Sequence, residues 1–383
     1  MTSVTAEPLN VRDAPIVADL DVNIGGTMPL TDGQIDECNE RYLREFDRYS
    51  KMAEAVYEKC LEIVQKKLAV RATVQRRAKN PKSFVEKLKK SKTRGRYNSI
   101  DEVFNGISDL AGVRIATYLE SDRHIVVEEI QKAFSGRGVD GPEIDLKDAL
   151  GSGKHYMATH CQVFLIDDEL IGSNENLRGT TCEIQVCSLL ANVFNEIEHD
   201  LQYKPLNGEL SHQEKEFIDQ LGLLTKAGDI TIERLLHEAE SRLQGRIGAF
   251  SDVYDFIARM RIEMGLADGF AVNAVQLFDE LIYLELNTPE AISQAVRQDD
   301  PQPLPAIAQS EYARLKAFIV SDEHQADLLE DDSSDVLLVG VLKSRLQQVL
   351  EHHSMRRGIG RPSRLALIAT WYRRMQDAPL REN

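Results

Sequence analysis

The sequence predicts an α+β protein: a small mixed β-sheet packed with helices, followed by an all-helical C-terminal region. Two observations carry this. The strand-like segments cluster between Gly112 and Val186, and the chain on either side of them repeats its apolar residues at three- and four-residue steps. No strand signal of comparable quality follows Val186, which separates the mixed core from a purely helical remainder.

The first 30 residues are polar and aperiodic, with Gly25, Gly26 and Pro29, and read as a flexible arm. Thr31 and Gln34 then form a capping box. Cys38, Tyr42, Phe46, Tyr49, Ala53, Val56, Cys60 and Ile63 follow as the apolar stripe of a long helix. The end of that helix runs into a basic window, read as helix, a loop around Asn80 and Pro81, and a short helix from Ser83. A second capping box, Ser99 with Glu102, opens a helix whose apolar side is Val103, Phe104 and Ile107.

Three strands are expected, over 112–119, 161–167 and 180–186, with helices at 124–134 and 189–201. In the third strand Cys182, Ile184 and Val186 alternate with Glu183 and Gln185, so burying the first set aims the second into one open face. Beyond Pro205, Ser211 with Glu214 and Thr288-Pro289-Glu290 mark further helix starts. The proline-rich segment 298–306 is the best linker candidate in this half. The domain reading is an arm over 1–30, a mixed domain over 31–247 and a helical domain of unassigned role over 248–383.

Composition narrows the function. The 383 residues include 46 Lys+Arg and 62 Asp+Glu, a net charge of −16, which discourages indiscriminate nucleic-acid binding. Locally the sign reverses. From Lys66 to Arg96 thirteen cations face one acid, Glu86, a net +12 that leaves −28 for the rest. Such density on an acidic background points to a polyanion site. Five cysteines without a CxxC pair argue against a disulfide framework and a zinc ribbon. With no apolar run of membrane length and no secretory signal pattern, a cytoplasmic protein without a membrane partner is expected.

Four elements carry chemistry. Arg77, Lys79, Ser83 and Lys87 stand on a turn entering a helix, where lysines, a hydroxyl and helix N–H groups suit a triphosphate and an arginine plane suits a base. Asp109 lies at a strand entry with Arg114 five residues on, and such a carboxylate beside a polycationic site is a natural Mg²⁺ ligand. Tyr156 and His160 precede the second strand. Glu183 and Gln185 lie in the string EIQV, followed by EHDLQYK. Other signals weigh less: His199-Asp200 looks like a hydrolase metal pair but lies inside that string, His352-His353 reads as surface, and the acidic run 321–335 reads as a solvated loop.

In this order the four elements resemble the RelA/SpoT nucleotidyltransferase domain of alarmone (p)ppGpp synthetases, over roughly Cys38 to Arg246. The resemblance implies that Arg77 and Arg114 sandwich the adenine of ATP while Lys79, Ser83 and Lys87 hold its phosphates. It implies Mg²⁺ on Asp109, with Glu183 sharing that ion or acting as general base on a ribose 3′-hydroxyl. Tyr156 would stack on the acceptor base, with Lys154, His160 and Gln185 nearby. The implied reaction transfers the β,γ-pyrophosphate of ATP to GDP or GTP.

The acceptor half departs from the family pattern. His155, Met157, Ala158 and Cys187 replace a glycine, a basic residue, a serine and an arginine. That keeps two alternatives in view: a toxic synthetase of the same family that makes another alarmone or pyrophosphorylates the 3′ end of tRNA along Lys89, Lys90, Lys92, Arg94 and Arg96, and a catalytically silent ATP-binding regulator. Oligomeric state and any regulatory partner on the C-terminal helices stay open at this stage.

Overall fold

The computed structural model describes residues 29–138, 141–148, 155–203, 210–242, 246–266, 269–320, 328–355 and 363–378. Nearly all of the expected N-terminal arm, and Lys154, lie outside them. In chain order the elements begin with α1 (Asp32–Leu61), β1 (Ala72–Ala78), α2 (Pro81–Lys89), α3 (Ser91–Arg94) and α4 (Ile100–Gly106). β2 (Ala111–Thr117), α5 (Asp122–Ala133), β3 (Glu143–Asp148), β4 (Met157–Val163) and β5 (Cys182–Ser188) complete the sheet. Then come α6 (Leu189–Tyr203), α7 (His212–Ser241), α8 (Val253–Met264), α9 (Ala274–Tyr283), α10 (Pro289–Arg297), α11 (Leu304–Ile319), α12 (Asp335–Met355) and α13 (Arg364–Asp377). No described helix is long and apolar enough to cross a membrane.

The described residues form two compact units, one within 1–43 and 80–107, the other within 44–79 and 108–383. Within the first, Phe84 of α2 lies 4.8 Å from the ring of Tyr42 and 5.9 Å from that of Phe104. Arg41 caps this cluster, its guanidinium 4.3 Å over Phe104 and 2.7 Å from Asp101. Here the sequence reading is off by two residues. Helix α2 starts at Pro81 and not at Ser83, because the Asn80 side chain accepts from Lys82 N and Ser83 N and proline is preorganised for the first helical position.

The second unit holds a five-stranded sheet in the order β1-β2-β5-β4-β3, with β2 and β5 parallel and all other pairs antiparallel. Two of these strands, β1 and β3, escape the sequence reading. Both are edges, and edge strands carry charges that discourage further pairing. Arg76 and Arg77 hide the β signal of Thr73 and Val74, and Glu143, Asp145 and Lys147 hide that of Ile144 and Leu146. Helix α1 therefore stops short of the basic window: a π-helical turn (Glu62–Lys67) and Ala69 in the left-handed region, φ 51°, turn the chain into β1. Strand β4 also sits four residues earlier than expected, because Phe164 leaves the sheet to bridge Ser135.

Helices α8 to α13 enclose their own apolar core, with Phe256, Met260, Phe270, Leu281, Leu337 and Ile368 fully buried. The proline-rich segment is no linker between domains. It is the short turn from α10 to α11, and it places Pro305 in the first turn of α11. The acidic run also differs from expectation in its described part, where Ser333, Ser334 and Asp335 are buried. Asp335 is held by Arg364, accepts from Glu330 N at 2.9 Å and receives Asn273 Nδ2 at 3.3 Å.

This helical core meets the mixed core at one seam. Asn273 N donates to Lys67 O at 2.7 Å, Arg71 lies 4.0 Å over the ring of Tyr254, and Lys67 Nζ sits 2.5 Å from Glu129 and 3.1 Å from Glu330. Burial lowers the affinity of Lys67 for its proton, but the two carboxylates outweigh it and raise its pKa above the ordinary lysine value.

Candidate active site

Residues paired across a sheet point to the same side, so the register decides which side chains meet. Gln75, Arg114, Gln185 and His160 form one row across β1, β2, β5 and β4. Arg77, Gly112, Glu183 and Gln162 form the next row on that face. The alternate residues, among them Val113, Ile115, Ile184 and Val186, are buried on the other side, which is the physical reason for the alternation read in the sequence. Glu183 and Gln185 thus share one face, as expected.

A cavity of about 250 Å³ opens on it, lined by Arg77, Asp109, Arg114, Glu183, Gln185 and Glu196 among others. Gly112 also lines it, and a Cβ there would stand 3.7 Å from Glu183 O and 3.8 Å from Arg77 Cγ. Asp109 arrives from a 3₁₀ turn (Ser108–Leu110) immediately before β2, and Lys79 Nζ holds its Oδ2 at 2.5 Å. Lys79 is itself fixed by its backbone N–H, which donates to Leu110 O at 2.9 Å.

Glu183 has three side-chain partners. Its Oε2 accepts from Ser108 Oγ at 2.7 Å, its Oε1 accepts from Gln185 Nε2 at 2.8 Å, and His160 Nδ1 lies 3.4 Å from Oε1. Burial opposes its charge, but His160, Ser108 and Gln185 together hold its pKa well below the usual carboxylate range. It is ionised at every neutral pH. His160 is oriented in turn by Tyr156, whose hydroxyl lies 2.9 Å from Nε2. Arg114 lies between Glu196, at 2.5 Å, and Gln185 Oε1, at 3.5 Å.

Ser83 and Lys87 belong to α2 in the first unit, where both are half-buried. Sequence reasoning missed Ser108, Glu196 and Gln75. Ser108 carried a usable signal, since a hydroxyl beside a strand-entry aspartate is a natural donor to a neighbouring carboxylate. Glu196 carried none, because its approach to Arg114 depends on how α6 packs.

The donor set suits a hard divalent cation, since Asp109 and Glu183 are carboxylates lining one cavity and Mg²⁺ prefers one or two carboxylates with phosphate oxygens. Residues 76–207 match the family model described as a region found in RelA/SpoT proteins. The chain contains a RelA/SpoT region. No curated protein matches the chain. Among solved structures, the small alarmone synthetase 1 from Bacillus subtilis is similar at 21% identity, over 53% of this chain and 99% of that one, with a TM-score of 0.43. A GTP pyrophosphokinase family protein from Streptococcus pneumoniae is similar at 18% identity, over 53% of this chain and 96% of that one, with a TM-score of 0.42. The same Bacillus subtilis enzyme bound to its product pppGpp gives 21% identity, over 52% of this chain and 98% of that one, with a TM-score of 0.41.

Within the RelA/SpoT region the side of the sheet beyond His160 is apolar. Ala158, Cys187 and Ala191 are buried together, with Tyr156 and Met157 packed against them. Burial pushes the Cys187 thiol up to about 12, so it stays neutral where the family pattern has an arginine. His155 is buried against α7: its Nε2 lies 2.6 Å from Asp219 Oδ1 and its ring meets Phe194 edge-on at 6.1 Å.

Proposed function

We propose that this chain is an ATP-dependent pyrophosphotransferase that makes (p)ppGpp, moving the β,γ-pyrophosphate of ATP to the 3′-hydroxyl of GDP or GTP and releasing AMP. The observation that carries the reading is the convergence of Asp109, Glu183, Arg77 and Arg114 on one cavity within a RelA/SpoT region. In the step, the hydroxyl oxygen bonds to the β-phosphorus as the bond from that phosphorus to the AMP oxygen breaks, the AMP phosphate keeping the electron pair and the hydroxyl proton passing to water. Such transfers need positioning and charge stabilisation more than covalent help.

Arg77 and Arg114, diagonal neighbours on one sheet face, are proposed to hold the adenine, their planar cations stacking on its ring. Lys79 is proposed as a phosphate ligand on its place beside the cavity, and Ser83 and Lys87 on the spacing of the motif alone. Asp109 and Glu183 are the proposed holders of Mg²⁺, which when bound neutralises phosphate charge. Because Glu183 is held ionised, it orients the acceptor hydroxyl through a hydrogen bond and has little tendency to retain its proton. Tyr156, His160 and Gln185, with Lys154, are the proposed acceptor contacts.

One observation favours a second reading. The apolar patch of Ala158, Cys187 and Ala191 supplies no cation for the phosphates of a free guanosine nucleotide. An acceptor whose charge is engaged elsewhere, such as the 3′ end of tRNA on the cations of residues 89–96, fits that feature. Incubation with ATP labelled in its β-phosphate, Mg²⁺ and either GDP, GTP or tRNA tests both. Labelled tetra- or pentaphosphate supports the first reading, and label on tRNA supports the second. Absence of transfer to any of them overturns both and leaves a silent ATP-binding regulator.

A further inference from the structure

We propose that the C-terminal helices carry a transition-metal site of the Zn²⁺ class, formed by Glu280 of α9 and His352 and His353 of α12. The sequence reading placed the histidine pair on the surface. Instead His352 is buried, 7% exposed, and faces Glu280, which is 2% exposed. One carboxylate oxygen gathers both imidazoles: Glu280 Oε2 lies 2.9 Å from His352 Nδ1 and 3.1 Å from His353 Nε2. The three donors come within 4.8 Å of one another.

The donor chemistry is two imidazole nitrogens and one carboxylate, a set that suits Zn²⁺ and similar divalent ions and leaves one position for water. Bonds of about 2.0 to 2.1 Å from a tetrahedral ion would set donors about 3.3 Å apart, so the two carboxylate–imidazole spacings need to open by a few tenths of an ångström, and all three donors already lie within 4.8 Å. The surroundings hold both rings in place. Tyr283 stacks on His352 with centroids 3.5 Å apart and planes 5° from parallel. Ser363 Oγ lies 3.0 Å from His353 Nδ1, where it can accept a hydrogen bond from that nitrogen's N–H and leave Nε2 to the ion. Ser363 is also the N-cap of α13, so the ion would tie α9, the end of α12 and the start of α13 together. Among the described residues, no lysine or arginine pairs with Glu280, whose buried carboxyl faces the two imidazoles.

The test uses the full chain, stripped with a chelator and titrated with Zn²⁺ in excess Mg²⁺, which satisfies oxygen-only sites. The site predicts uptake of about one Zn²⁺ per chain. It also predicts that the midpoint of thermal unfolding falls on stripping and recovers with Zn²⁺ and not with Mg²⁺. Affinity should drop by about 100-fold or more in His353→Ala and by about 10-fold in Ser363→Ala, while His353→Cys keeps a ligand and retains the ion. The Co²⁺ form should show ligand-field bands that Glu280→Gln abolishes. Failure of the stripped wild-type chain to take up Zn²⁺ tightly, or equal uptake by His353→Ala, overturns the proposal. The readouts are independent of pyrophosphate transfer.

Discussion

Gly222 of α7 abuts the imidazole of His155 so closely that a Cβ at Gly222 would fall 2.1 Å from His155 Cγ. The histidine that replaces a glycine in the acceptor motif is therefore matched by a glycine on the helix that receives it. Gly222→Ala should destabilise the fold by about 1 to 3 kcal/mol, the usual cost of overpacking. Adding His155→Gly should recover most of that loss, and a double-mutant cycle by urea denaturation measures the coupling. Additive losses would mean that the two residues do not share this space.

Glu183→Gln should reduce pyrophosphate transfer by about 100-fold or more, the scale of losing a charged group that acts in the transition state. Circular dichroism should show an unchanged fold. Full turnover by this variant would remove Glu183 from the reaction.

The same carboxylate shapes acid stability. Its ordinary value is 4.5 and the folded value lies below it, so its contribution is complete above pH 4.5 and fades as the pH falls toward the folded value. Wild type should lose stability more steeply than Glu183→Gln below that pH. Ser108→Ala, which removes one of the bonds holding the charge, should give an intermediate slope in acid-titrated unfolding.

Arg77→Ala should raise the KM for ATP by about 5- to 10-fold, the worth of one cation stacked on a ring. Arg77→Lys should recover little, because an ammonium keeps the charge and loses the plane. Steady-state kinetics at saturating acceptor separates these effects from any change in kcat.

Lys67→Met leaves Glu129 buried with Lys132, 3.6 Å away, as its one cationic partner among the described residues. The expected cost is about 3 kcal/mol in urea unfolding, the penalty for breaking a buried pair. Because the pKa of Lys67 is raised above 10.5, this contribution is complete below that pH and is lost as the pH climbs through the folded value.

Helix starts were the most legible part of the chain, because each is a local hydrogen-bond pattern. Ser99 Oγ accepts from Glu102 N, Ser211 Oγ accepts from Glu214 N, and Thr288 Oγ1 accepts from Ala291 N, as their spacing implied. The alternation around Glu183 was legible for a similar reason, since period two follows from strand geometry alone. Edge strands β1 and β3 were not, because their charged residues suppress the apolar contrast that marks a strand. Asp335 and His352 read as surface because a polar residue is buried only when partners from distant segments reach it, Arg364 for one and Glu280 for the other. Of the site, the carboxylates and cations were visible in the sequence, while the Glu196 partner of Arg114 needed the packing of α6.

The contact between Asn273 and Lys67 has a practical corollary for anyone trimming this protein. Removing everything after residue 242 would strip the Lys67 carbonyl of its donor and leave Arg71 without the Tyr254 ring beneath it. Those two positions lead directly into the strand that carries Arg77. A shortened chain would therefore lose the splint that fixes the approach to the sheet edge carrying Arg77, and the helical half acts as a brace for that edge and not as detachable cargo.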